Sequence, residues 1–256
     1  MRAWFAPVAW VASLCALAAL LPTMTPLFSW VEPDTDNLIY TRDSFYSLLL
    51  SHLWLVLASA TVGTLVAVSA GIFVTRPAGR DFLPLVSQIA SIGQTVPPVA
   101  VLALAVPVMG FGEKPTLFAL VLYGLLPILR NTLAGLSGIN SAVLESAKGM
   151  GMSSVQVLFK VELPLAGRVI LAGIRTSVTI NIATAAIGST IGARTLGDPV
   201  IAGLVNGNTA YVLQGAILIG VLALATDSVF EAIFQGADRA RFSFRWRRGG
   251  VPKQRL

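Results

Sequence analysis

Long apolar runs alternate with short polar connections along this chain, and the runs have the length a bilayer demands. A helix needs roughly 20 mainly apolar residues to cross the hydrocarbon core. Six stretches meet that need: 4–21, a part of 45–75, 82–109, 116–136, 169–193 and a part of 209–234. Some are interrupted. "QTVPP" puts Pro97 and Pro98 inside the third, removing backbone donors and disfavouring helix before them, and Pro127 should kink the fourth. "RTLGDPVIAGLVNGN", after the fifth, is too polar and too rich in Gly and Pro to cross, and predicts a short helix or re-entrant element capping the outer face.

The connection between the fourth and fifth runs is unusual. "ESAKGMGMSSVQVLFKVELP" carries two Lys, two Glu and two Gly between stretches that could each cross a membrane. Over 141–164 the pattern predicts a helix–Gly–helix element. Ser141 is expected to cap the first helix, with Leu144, Ala147 and Lys148 on the face it starts. Gly151 permits a sharp turn, Ser153 starts the second helix and Pro164 stops it. Such an element is apolar enough to dock into a partner, and it could equally be an amphipathic loop on lipid.

Composition agrees with an all-α integral membrane protein. Of 256 residues 55% are hydrophobic and 12% charged, with a mean hydropathy of +0.78, and a soluble fold could not hide that apolar surface. Loop charges set the orientation. Arg76, Arg80, Lys148, Lys160 and Arg168 lie on one side, while the loops of the other show no basic excess. Both termini are therefore expected in the cytoplasm. The net charge of +6 is concentrated in the tail, where 238–255 holds seven of the 18 basic residues. Interleaved aromatics can mark a nucleic-acid surface, but directly after a span they fit a tail on anionic lipid, with no nucleic-acid partner. The first run is expected to be an uncleaved anchor rather than a signal peptide, and Cys15 a packing residue. One transmembrane domain results: an extra helix at 4–21, a core at 40–236, the polar element at 141–164 and the tail at 238–256.

Candidate chemistry is sparse. His52 is the sole His, has no Cys or paired carboxylates beside it, and reads as an interfacial hydrogen-bonding residue; no metal site is expected. There is no phosphate-binding loop and no Ser/His/acid set, so no catalytic residue is assigned. In the fifth run Ser177, Asn181, Thr184 and Gly188 share one side of a helix. That face reads as helix–helix contact, with Gly188 and Gly192 as a small-residue pair, as the lining of a pathway, or as both at once.

The polar element resembles the "EAA" loop of ATP-binding-cassette importer permeases, E-A-A-x3-G-x9-I-x-L-P. Glu145, Ser146 and Ala147 are followed at the family's spacing by Gly151, Val161, Leu163 and Pro164, with Ser146 for Ala and Val161 for Ile as departures. The resemblance implies the type I importer permease fold (MetI-like) with cytoplasmic termini in a bacterial inner membrane. It also implies that this loop seats a cytoplasmic ATPase, which would hold the ATP and Mg, so the chain itself is no enzyme. "SIGQTVPPVAVLALAVPVMGFG", "LYGLLPILRNTLAGL" and "TLGDPVIAGL" are similar to permeases of the osmoprotectant branch, of the low-affinity betaine-uptake type, whose cargo is glycine betaine, choline or a related compound. Implied partners are a second permease, identical or paralogous, an extracytoplasmic binding protein and membrane lipid. Gln94, Thr95, Pro97, Ser177, Asn181 and Thr184 are the expected pathway residues, and Arg175 is expected to snorkel or pair. No aromatic cage for a quaternary ammonium is legible. An importer for another solute, such as an amino acid or a sulfonate, is the alternative. An ion-driven secondary transporter ranks below it, because only Asp227 and Glu231 offer ionisable groups at depth.

Overall fold

The computed structural model describes residues 4–33, 35–92 and 95–248; the side chains of 92 and 237–248 are not described. Within that range every regular element is helical. Four helices are both long and apolar enough to cross a membrane. They are α1 (Phe5–Leu20), which a tight turn extends to Thr23, α3 (Phe45–Val74), α6 (Glu113–Ser137) and the Thr209–Gly236 part of α11 (Thr209–Arg248). A short α2 (Thr25–Phe28) follows α1.

The expected third crossing resolves into α4 (Leu83–Ile92) and α5 (Pro98–Met109). Pro97 stands before α5 in extended conformation, at φ −63° and ψ 137°, as a residue preceding a proline must. Pro127, in contrast, lies inside an unbroken α6. The expected fifth crossing begins earlier than 169, as α9 (Leu163–Ala185), and tightens into a 3-10 turn over Ala186–Ile191. At 1.5 Å per residue α9 is about 34 Å long, although Arg168 and Arg175 interrupt its apolar character. The Gly- and Pro-rich stretch forms α10 (Gly197–Asn206), the short helix its composition predicts.

The helices pack around α6, which lies against both α3 and α9, while α11 is flanked by α1 and α10. Contacts between loops sort the chain into two ends. At one, Gly112 N–H donates to Ile191 O (2.7 Å), Asn208 reaches Asn37 O (2.7 Å) and Arg194 pairs with Asp43. At the other, Arg76 pairs with Glu162 beside the 141–164 element. This alternation is what successive crossings produce.

Three sequence expectations need revising. His52 hydrogen-bonds as expected, but from a fully buried place in the chain, at 0% exposure. Its Nδ1 accepts from Leu196 N–H at 3.3 Å, which puts the ring proton on Nε2, facing Ile182 O at 3.1 Å. Ile182 O needs that donor because the tightening at Ala186 sends the Ala186 N–H to Thr184 O instead. Gly192 is the left-handed residue (φ 82°) ending the 3-10 turn, where a Cβ would meet nothing within 4 Å, whereas a Cβ on Gly188 would meet Thr116 of α6. Cys15 is exposed on α1 rather than packed.

Candidate functional site: the helix–glycine–helix element at 141–164

The 141–164 segment folds as two helices about a glycine. Its first helix, α7 (Ser141–Gly149), is capped by Asn140, one residue before the expected Ser141; the Asn140 side chain accepts from Ala142 N–H at 2.9 Å. At the other end Gly151 takes φ 79°. Gly151 N–H donates to Lys148 O (2.9 Å) and Met152 N–H to Ala147 O (3.2 Å), the paired reverse bonds of a Schellman turn. Ser153 then opens α8 (Ser154–Val157) with a full capping box, trading bonds with Gln156.

Pro164 does not stop this helix, contrary to expectation. The chain passes through one π turn, Leu158–Glu162, and continues as α9 with Pro164 in its first turn. In the π turn Leu163 N–H reaches back five residues to Leu158 O. A wider turn there relieves the contact a proline ring makes with the carbonyl four residues before it. The consequence is one of connection: α8 runs through the π turn into the spanning α9 with no break in the helical chain.

Of the motif residues, Glu145, Ser146, Gly151 and Pro164 are exposed, Val161 and Leu163 half-buried, and Ala147 buried. Ala147 and Val157 are the buried side chains of α7 and α8. Around them the element presents apolar surface outward: Met150 is 71% exposed, Val155 65% and Phe159 64%. An apolar surface of this kind, on a polar segment at one end of a bundle, fits a protein partner.

Sequence reasoning missed what holds this element to the bundle. Glu162, the last residue of the π turn, is buried and ion-paired with Arg76, just beyond α3. The two lie 86 positions apart. Their one legible signal is a carboxylate set in the apolar stretch "KVELPLA".

The remaining candidates separate. Gln94 lies outside the described residues. Thr95 and Pro97 are exposed at the break between α4 and α5. Ser177, Asn181 and Thr184 are buried inside the chain, at 0%, 0% and 7% exposure. Asn181 Nδ2 donates to Ser59 Oγ of α3 at 2.9 Å, and Ser59 in turn donates to Val56 O. Gly124 of α6 makes room for this group, since a Cβ there would stand 2.6 Å from Ser177 Oγ and 2.7 Å from Asn181 Nδ2. Their surroundings favour helix contact between α3, α6 and α9. Arg175 pairs, as one of its two expectations had it, with Asp227 at 2.6 Å and Glu231 at 3.5 Å on α11. Its guanidinium also lies 5.9 Å from the Phe234 ring centre.

A helical bundle with a broken crossing and an exposed helix–Gly–helix element at one end is the build of a transport-system membrane component. Residues 63–239 match the binding-protein-dependent transport system inner membrane component family, and the chain belongs to that family. Among its relatives is the osmoprotectant import permease protein OsmY of Salmonella typhimurium, 41% identical over 178 residues, which are 70% of this chain and 75% of that one. The glycine betaine/carnitine/choline transport system permease protein OpuCB of Bacillus subtilis is 40% identical over 206 residues, 80% of this chain and 91% of its own. Among solved structures, an inward-facing MetNI methionine ABC transporter superimposes with a TM-score of 0.66 at 21% identity, over 73% of this chain and 93% of that one. That likeness establishes the MetI-like type I importer permease fold.

Proposed function

We propose that this chain is the membrane permease of an ATP-driven importer for a quaternary-ammonium osmoprotectant such as glycine betaine or choline. The observation that carries the proposal is the α7–Gly151–α8 element, exposed and apolar on its outer side and continuous with α9. A cytoplasmic ATPase, holding ATP and Mg, seats on α7 through the surface that includes Glu145 and Met150. Its closing motion moves α8 and α9 together and drives alternating access in a bacterial inner membrane.

Two permeases enclose the pathway, and an extracytoplasmic binding protein delivers cargo to its outer mouth. The exposure of Thr95 and Pro97 at the α4–α5 break supports placing the pathway there, with Gln94 in the same connection. Ser177, Asn181 and Thr184 then act at one remove, by fixing the helices around it. The relatives' names support the cargo, and a neutral lining suits a zwitterion or a cation that an intramembrane Lys or Arg would repel.

The test is co-purification of the tagged chain with its ATPase, for wild type and Gly151→Asp, followed by uptake of labelled glycine betaine and choline into vesicles with and without ATP. The proposal expects wild type to retain the ATPase and to import in an ATP-dependent manner, and Gly151→Asp to lose both while remaining inserted. Uptake without ATP, or undisturbed ATPase retention by the variant, refutes it. ATP-driven uptake of an amino acid or a sulfonate instead keeps the machine and replaces the cargo.

A further inference from the structure

From the partner found for Glu162 we infer that Arg76 and Glu162 are positioning residues for transport, a second linkage that carries motion of the coupling element into α3 as well as α9. The inference rests on the reading above, that an ATPase pushes on this element.

The covalent route into the membrane runs from α8 through the π turn to α9. A π turn is a wide and weakly bonded part of a helix, often found where a helix has to yield. Displacement of α7 and α8 would be partly absorbed there. Glu162 closes that turn, and its carboxylate is fastened to the Arg76 guanidinium. Arg76 follows α3 by two residues, with its N–H bonded to Phe73 O, and the intervening Thr75 hydroxyl reaches Gly71 O and Ile72 O. Arg76 is therefore anchored through its backbone to the last turn of α3, and the carboxylate sits on the yielding turn.

Burial makes the pair matter. The Glu162 side chain is 11% exposed and that of Arg76 28%, and the buried Arg76 Nε has no acceptor. Glu162 is thus the group that compensates this cation, and removing either partner strands the other's charge in a poorly hydrated place. A rim ion pair would be worth little and would transmit nothing. At its far end α3 is tied again, by a buried contact: His52 Nδ1 accepts from Leu196 N–H before α10. A shift delivered to the Arg76 end of α3 therefore reaches the outer cap through a rod fastened at both ends.

The test uses the whole transporter in ATP-loaded proteoliposomes, with wild type, Glu162→Gln, Arg76→Gln and the exchanged double variant Arg76→Glu/Glu162→Arg. Three quantities are read: ATPase retained, ATP hydrolysed and labelled glycine betaine imported. The single variants are expected to keep the ATPase and its hydrolysis, because the outer surface of α7 is untouched. Their uptake per ATP should fall about five-fold or more, the scale of an ordinary coupling free energy, and the exchanged variant should recover most of it. Arg76→Met, which keeps the length of the side chain and removes its charge, replaces Arg76→Gln if the latter fails to insert.

A wild-type uptake-to-ATP ratio in both single variants overturns the inference, as does an exchanged variant as impaired as they are. Loss of the ATPase from a single variant also overturns it, leaving the pair a purely structural role. Failure of the wild-type chain to hold any ATPase is a different result: it removes the proposed function itself, and this linkage with it.

Discussion

Replacing Gly151 by Ala tests the turn on which the coupling element depends. Gly151 sits at φ 79°, and a Cβ there would meet nothing within 4 Å. The penalty is therefore purely one of backbone conformation, not of crowding. Holding an L-residue left-handed costs roughly 1–2 kcal/mol, which shifts a local equilibrium by a factor of about 5–30. Two amides report on it directly, because Gly151 N–H and Met152 N–H are bonded to Lys148 O and Ala147 O only while the turn is formed. Hydrogen exchange at residues 151 and 152 should accelerate by about that factor in Gly151→Ala, while amides of α6 stay as in wild type. Gly151→Asn should fall between the two, since Asn adopts the left-handed region more readily. Retention of the ATPase on purification should follow the same order. Unchanged protection in Gly151→Ala, or an Asn variant no better than Ala, would show that the left-handed residue does not hold the turn.

His52→Phe keeps a planar aromatic ring, somewhat larger, but strands Leu196 N–H and Ile182 O, at about 1–3 kcal/mol for each buried group; thermal unfolding in detergent should move to distinctly lower temperature, and an unmoved midpoint would mean the two bonds are not made. Gly124→Ala forces a methyl to within 2.6 Å of Ser177 Oγ, so it should destabilise by about 1–3 kcal/mol, and Ser177→Ala added to it should recover part of the loss. Burial raises the Asp198 carboxyl above its ordinary value against the opposing Ser189 hydroxyl. A raised folded-state value means the folded protein binds the proton more tightly, so stability falls as pH rises from the unfolded carboxylate range. Asp198→Asn should accordingly be more stable than wild type at neutral pH, with the advantage vanishing in acid.

What the sequence made legible were features whose physics is local. The α4–α5 break follows from two adjacent prolines, and the turn at Gly151 from a glycine between two short helical patterns with Ser153 and Gln156 at capping distance. Apolar length was enough to find four of the six expected crossings as long apolar helices. The misjudged features depend on distant partners. Pro164 reads as a stop until a π turn lets the helix absorb it. Nothing near His52 reveals that a carbonyl 130 positions away has lost its usual donor. The polar stripe of Ser177, Asn181 and Thr184 left two readings open, because spacing places residues on a face without saying what that face meets. Ser59 and Gly124, which that face meets, both belong to other helices.

The placement of charge bears on what drives this bundle. An ion-gradient transporter needs an ionisable group at depth that can release and recapture its ion. The two carboxylates that could serve, Asp227 and Glu231, both face Arg175, at 2.6 and 3.5 Å. His52 has both ring nitrogens engaged by the backbone. Each of these groups joins one element to another: Arg175 binds α9 to α11, and His52 binds α3 to α9 and the turn before α10. The polar side chains deeper in the α3–α6–α9 contact are neutral. Among the described residues, these groups thus fasten helices to one another. A bundle built that way has to be moved from outside, and the exposed element that continues into α9 is where a push can enter.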